Sequence, residues 1–96
     1  MKLTIKKSDK PNKKYVAIFT KDDGKSKKTY FGSAGMSDYT IHKDKDRRER
    51  YRTRHKKDLN TKDPTRAGYL SYFILWGDST SLNKNIKDYK KKFNFS

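Results

Sequence analysis

The chain has 96 residues, which is enough for one domain and too few for two. Its 26 Lys and Arg against 11 Asp and Glu give a net charge of +15, which favours a polyanionic partner: nucleic acid ahead of an anionic membrane or an acidic protein. The absence of cysteine excludes disulfides and thiolate metal sites. Aromatic residues make up 14% of the chain, so we expect a folded domain with an aromatic core rather than a disordered basic tail.

The first third of the chain has the pattern of short strands. Leu3 and Ile5 alternate with polar residues, and two further runs follow, Tyr15 to Phe19 and Lys27 to Gly32. The turn dipeptide that begins at Asp23 separates the second run from the third. These runs predict an antiparallel β-meander over residues 1–35.

A densely charged segment without Gly or Pro follows, and it predicts the first helix, from Asp44 to Asp58. The second helix is predicted to begin at Pro64, with Asp63 as its N-cap, and to end at Gly77. Because this helix is apolar on most sides, we expect it to lie at the centre of the core.

The third predicted helix begins after a cap chosen from Ser79, Thr80 and Ser81. Its apolar stripe consists of Leu82, Ile86, Tyr89 and Phe93. The expected fold class is α+β, a three-stranded antiparallel β-meander followed by three α-helices in residues 38–96. We expect a single basic domain over residues 1–96.

The first predicted helix carries the strongest candidate for polyanion binding. Helical spacing puts Arg47, Arg50, Arg54 and Lys57 on one face, where they form a row of donors suited to a phosphate backbone. A second face carries Arg48, Tyr51, Arg52, His55 and Leu59. The alternative is a solvated face neutralised by the pairs Asp46–Arg50 and Asp44–Arg48, but the positive excess on this helix is too large for that.

Lysines also cluster around the two expected hairpin loops. One group is Lys6, Lys7, Lys10, Lys13 and Lys14, and the other is Lys21, Lys25, Lys27 and Lys28. Two interpretations remain open: a cationic surface continuous with the helix, or solubility and protection of an edge strand.

Other features favour structural roles. Tyr15, Phe19, Tyr30 and Phe31 are suited to base stacking on an exposed sheet, but so small a domain needs such rings for its core. The glycine pair in the segment Gly32 to Gly35 is suited to cradling a phosphate, but a turn out of the sheet is favoured.

The sequence contains no convincing catalytic or metal-binding pattern. His42 and His55 are the two histidines, and neither has metal-site spacing. An alternative is a nuclease with hairpin tyrosines and a helical arginine, for which Tyr15, Tyr30 and Arg47 are the matching residues. Such an enzyme also needs a suitable carboxylate for its metal, and the single Glu49 lies on the arginine helix. We therefore expect no enzymatic activity, no metal and no cofactor.

Several strings in the chain are distinctive. They are Phe31 to Thr40, then His42 to Asp44, Arg47, Arg48, Tyr51, Arg54 to Lys56, Pro64, Ala67, Gly68, Leu75, Trp76, Leu82 and Ile86. Across Lys27 to Phe93 the chain resembles a poorly characterised family of short basic proteins encoded by large double-stranded DNA viruses of algae and protists. The resemblance implies a viral origin and a place in the virion or with the viral genome, and it supplies no catalytic residues.

These observations predict a weakly sequence-specific nucleic-acid-binding protein that contacts phosphates, with DNA favoured over RNA. The alternative is a small structural virion protein, capsid-associated or cementing, that meets acidic surfaces of viral structural proteins. We expect neither a membrane partner nor secretion, and a location in the virion or the infected cell. The candidate contact residues are Arg47, Arg48, Arg50, Arg52, Arg54, Lys57, Lys13, Lys14, Lys27 and Lys28.

Overall fold

The computed structural model describes residues 1–96. The chain begins with three strands, β1 (Lys2–Lys7), β2 (Lys13–Thr20) and β3 (Ser26–Ser33). They pair antiparallel in the order β1-β2-β3, so the predicted meander is confirmed. The two hairpin loops therefore lie at opposite ends of β2, roughly 25 Å apart at about 3.3 Å per residue.

Four helices follow the sheet instead of three. They are α1 (Tyr39–His42), α2 (Lys45–His55), α3 (Ala67–Leu70) and α4 (Leu82–Lys92). The α+β class is confirmed, and the additional element is α1. It is a single turn that begins at the N-cap Asp38, whose carboxylate accepts from the Thr40 N–H, and ends at Lys43, where φ is 59°.

The first long helix is shorter than predicted. Asp44 is its N-cap as expected, but the helix ends at His55 rather than at Asp58. A 3₁₀ turn, Lys56–Thr61, continues the chain, and Nδ1 of His55 lies 3.0 Å from the Asp58 carboxylate across the junction. This local contact accompanies the change from α-helical to tighter winding.

The second helix begins at Ala67, so the prediction of a start at Pro64 is wrong. The Asp63 carboxylate accepts from the N–H and hydroxyl of Thr65, which forms a turn in place of a helix cap. The carbonyl groups of Pro64 and Thr65 accept from the hydroxyls of Tyr89 and Thr29. These carbonyls are thus used for tertiary contacts instead of a helical ladder.

After α3 the chain widens into a π-helical turn, Ser71–Leu75, before Gly77. This geometry brings both Ile74 and Leu75 into the core. Gly77 is required by close packing, because a Cβ atom there would lie 2.2 Å from the Phe73 carbonyl oxygen. The last helix, α4, is capped by Ser81, one of the three predicted candidates.

One face of the sheet packs on the helices. Leu3, Ala17, Phe19 and Phe31 meet Leu70, Ile74 and Tyr89 in a continuous core. Partly buried Leu82, Ile86 and Phe93 complete the α4 stripe as predicted. Because Phe19 and Phe31 are buried, they are not available to stack bases.

None of the helices is long and apolar enough to cross a membrane.

Candidate nucleic-acid interface

A cleft of about 640 Å³ lies between α2 and the loop that leaves the sheet. We call it the arginine cleft. One wall is formed by α2 and the turn after it, and the other by the end of β3 and the loop that follows it, as far as Ser37. The short helix α1 connects β3 to α2 in the chain, and so links the two walls.

Three arginines of the predicted row line this cleft. Arg47, Arg50 and Arg54 are exposed, and none forms an ion pair within the protein. The pair Asp46–Arg50 considered from the sequence is absent. Unpaired guanidinium groups retain all their donors for an external anion, and their planar fork matches phosphate geometry.

The Asp44 carboxylate caps α2 and does not pair with Arg48. It accepts from the N–H groups of Asp46 and Arg47, and the bond from Arg47 is the largest cause of its lowered pKa. This acid forms no ion pair with an arginine of the row, although Arg50 is close enough to contribute to the lowering of its pKa after the backbone hydrogen bonds.

Arg48 and Arg52 belong to the fold instead. Arg52 donates to the Trp76 carbonyl at 2.9 Å and to the Asp78 carboxylate at 2.8 Å. This second bond is the largest cause of the lowered pKa of Asp78. Arg48 pairs with Glu49 and lies over the ring of Tyr39 at 4.7 Å. Both arginines therefore hold α2 against the rest of the domain.

Lysines of the first hairpin reach the same cleft. Lys13 and Lys14 line it, whereas Lys57 lies in the exposed 3₁₀ turn and does not. The Lys14 ammonium group is 2.6 Å from the Asp38 carboxylate, and the side chains are 15% and 3% exposed. Lys14 thus anchors α1 to the sheet, a contact between residues 24 positions apart that no local pattern in the sequence indicated.

The second hairpin lies elsewhere. Lys27 and Lys28 line a neighbouring depression with Arg66, and the Lys27 ammonium group donates to the Thr65 hydroxyl. Asp58 and Gly68 line both the depression and the arginine cleft. Lys13 and Lys14 therefore line a different depression from Lys27 and Lys28.

A stack of aromatic rings forms part of the cleft wall. Tyr51 lies parallel to Trp76, with ring centroids 4.2 Å apart, and stacks on His55 at the same distance. Burial raises the pKa of Tyr51 to about 12, so this phenol stays neutral at physiological pH. Helical spacing in the sequence predicts that Tyr51 and His55 share a face. Only the structure shows that this face forms a wall of the cleft.

The cleft carries a positive surplus. Its five cationic side chains, those of Lys13, Lys14, Arg47, Arg50 and Arg54, face two carboxylates, Asp38 and Asp58. Asp38 forms an ion pair with Lys14, and the Asp58 carboxylate lies 3.0 Å from Nδ1 of His55. The backbone N–H groups of Gly35 and Ser37 also have no acceptor in the protein. What remains free in the cleft is a set of donors and positive charges, which suits an anionic ligand.

The two histidines do not belong to a cluster of potential metal ligands. No three His, Asp or Glu residues lie close enough together to hold a metal ion. His42 does not line the cleft: its Nδ1 accepts from the Asp44 N–H, and its ring lies 5.2 Å from that of Trp76. Burial, followed by the charge of Arg47, lowers the pKa of His42.

Comparison with known proteins identifies a family. The profile of a family of unknown function, DUF5754, matches residues 3–55, and the chain belongs to this family. Uncharacterized protein L851 of Acanthamoeba polyphaga mimivirus is 35% identical over 80 residues, which cover 77% of this chain and 80% of the relative. No solved structure matches the chain.

These results confirm the expected resemblance to a poorly characterised family with a viral relative. The family match begins at residue 3, whereas the resemblance in the sequence was confined to Lys27 to Phe93. It includes the sheet and α2, and therefore all five cationic residues of the arginine cleft.

Proposed function

We propose that this protein binds nucleic acid without catalysing a reaction, through phosphate contacts made by Arg47, Arg50 and Arg54. The observation that carries the proposal is that these three guanidinium groups line one cleft and have no partner in the protein. Lys13 adds a fourth charge at the same place. Contacts of this kind fix the position of a strand and carry little sequence information.

We further propose a viral setting, with DNA as the favoured ligand and the virion or the infected cell as the location. The mimivirus relative supports this setting, as does the resemblance to short basic proteins of large double-stranded DNA viruses. The net charge of +15 would be offset by genome phosphate in such a compartment.

The test is a salt titration of binding to a labelled 20-nucleotide DNA, as single strand and as duplex. We expect the triple variant Arg47→Ala/Arg50→Ala/Arg54→Ala to lower the slope of log K against log salt by about 2 to 3, because each phosphate contact contributes about 0.7 to 0.9. Unchanged affinity and slope on both DNAs would refute the proposed site.

A matched control is provided by α4, which does not contribute to the cleft. The variant Lys87→Ala/Lys90→Ala/Lys91→Ala removes the same charge from the same type of element. If binding depends only on net charge, the two triple variants will weaken it equally. If the arginine cleft is the site, the α4 variant will retain most of the slope.

A further inference from the structure

The stack in the arginine cleft ends in an open ring face. Tyr51 is covered on both sides, by Trp76 and by His55. His55 is covered by Tyr51 on one side, and its side chain is 37% exposed and lines the cleft. Nδ1 of His55 lies 3.0 Å from the Asp58 carboxylate, which fixes the ring orientation. Because Tyr51 covers one face of the imidazole, its exposed area lies on the opposite face and the ring edge, and the ring lines the same cleft as the free arginines.

The dimensions of the cleft fit a single nucleotide. Its volume of about 640 Å³ lies in the range of pockets that bind small ligands. Met36, which is 66% exposed, adds an apolar surface on the loop wall. A cleft with cations, free N–H groups and an open aromatic face has the features of sites that hold both the phosphate and the base of a single strand.

We propose that the arginine cleft binds one unpaired nucleotide of a nucleic-acid strand, with its phosphate on the free arginines and its base stacked on the open face of His55. This inference rests on the proposed function and specifies its ligand. A paired base is covered by its neighbours on both faces, so a duplex offers no free face to His55, whereas a single strand or a frayed end does. Stacking also tolerates any base, which agrees with weak sequence specificity.

The experiment compares two single strands with the same number of phosphates: a 12-nucleotide oligothymidylate and a 12-unit strand made only of abasic sites. Anisotropy titrations are made with the full chain at one salt concentration. We expect the wild-type protein to bind the oligothymidylate about tenfold more tightly than the abasic strand, which corresponds to one stacked base. Equal affinity for the two strands would overturn the inference without any variant.

Two substitutions locate the stacking surface. His55→Ala removes the ring and the contact with Asp58, and we expect it to abolish the preference for bases, so that both strands bind with equal affinity. His55→Phe keeps a flat ring and loses the Asp58 contact, and we expect it to retain the preference. A preference that survives His55→Ala would overturn the assignment to this residue.

Failure of the inference is distinguishable from failure of the proposed function. If phosphate binding at the cleft is wrong, the triple arginine variant binds both strands like the wild type. If only the base contact is wrong, the triple variant loses affinity for both strands equally and the wild type shows no preference between them.

Discussion

The substitution Arg52→Ala tests whether the arginines of α2 divide into a structural pair and a free row. The structure predicts that this change lowers stability, because Arg52 donates to the Trp76 carbonyl and to Asp78 across the domain. Its side chain is 20% exposed, whereas Asp78 is 90% exposed. The ion pair with so exposed a carboxylate contributes at most about 1 kcal/mol. The bond from a charged donor to the Trp76 carbonyl contributes about 1.5 kcal/mol.

Together these contacts predict a loss of about 2 kcal/mol in the free energy of unfolding. Urea denaturation followed by the fluorescence of the single tryptophan measures it, and for a domain of this size the midpoint should fall by about 1 M or more. The control is Arg50→Ala, which removes an exposed side chain without an ion pair and should change stability by no more than about 0.5 kcal/mol. Equal destabilisation by the two variants would refute this division of the arginines.

Two further predictions concern local structure. Lowering the pH from 7 to 5 should reduce the free energy of unfolding through His42. Burial lowers the pKa of His42 below its usual 6.5 in the folded protein. The stability that the neutral ring contributes is therefore complete above about pH 6.5 and is lost as the pH falls towards the folded-state pKa. The variant His42→Asn keeps an acceptor for the Asp44 N–H but does not titrate. Its urea midpoints at pH 7 and pH 5 should therefore differ less than those of the wild type. An equal difference in the two proteins would contradict the role of His42. Gly77→Ala should lower the free energy of unfolding by about 3 kcal/mol in the same assay, because the new Cβ would clash with the Phe73 carbonyl oxygen. Wild-type stability of this variant would refute the prediction and show that the turn can adapt.

The meander and the α4 stripe could be predicted from the sequence because both depend on local periodicity. Alternation around Leu3 and the run from Tyr15 gave the strands, and helical spacing from Leu82 to Phe93 gave the last helix. The start of α3 could not be predicted, because the turn at Asp63 is supported by tertiary hydrogen bonds from distant residues. No periodicity encodes such contacts.

The candidate site was predictable in part. The row of Arg47, Arg50 and Arg54 follows from helical spacing alone. Which arginines remain free does not, because Arg52 is bonded to Trp76 and Asp78, which are distant in sequence. The aromatic wall likewise depends on Trp76, which is distant in sequence from the ring it covers. The sequence thus indicated the charge of the site, and the tertiary structure defined its cleft.

The central claim is that the free arginine row binds nucleic acid, and the side-chain Nε–Hε resonances of the arginines test it most directly. Titration of the labelled protein with a single-stranded oligonucleotide should shift the signals of Arg47, Arg50 and Arg54, because their guanidinium groups would exchange water for phosphate. The signals of Arg48 and Arg52, which are bonded within the protein, should change little. Shifts confined to Arg48 and Arg52, or no arginine shift when the protein is saturated, would contradict the claim.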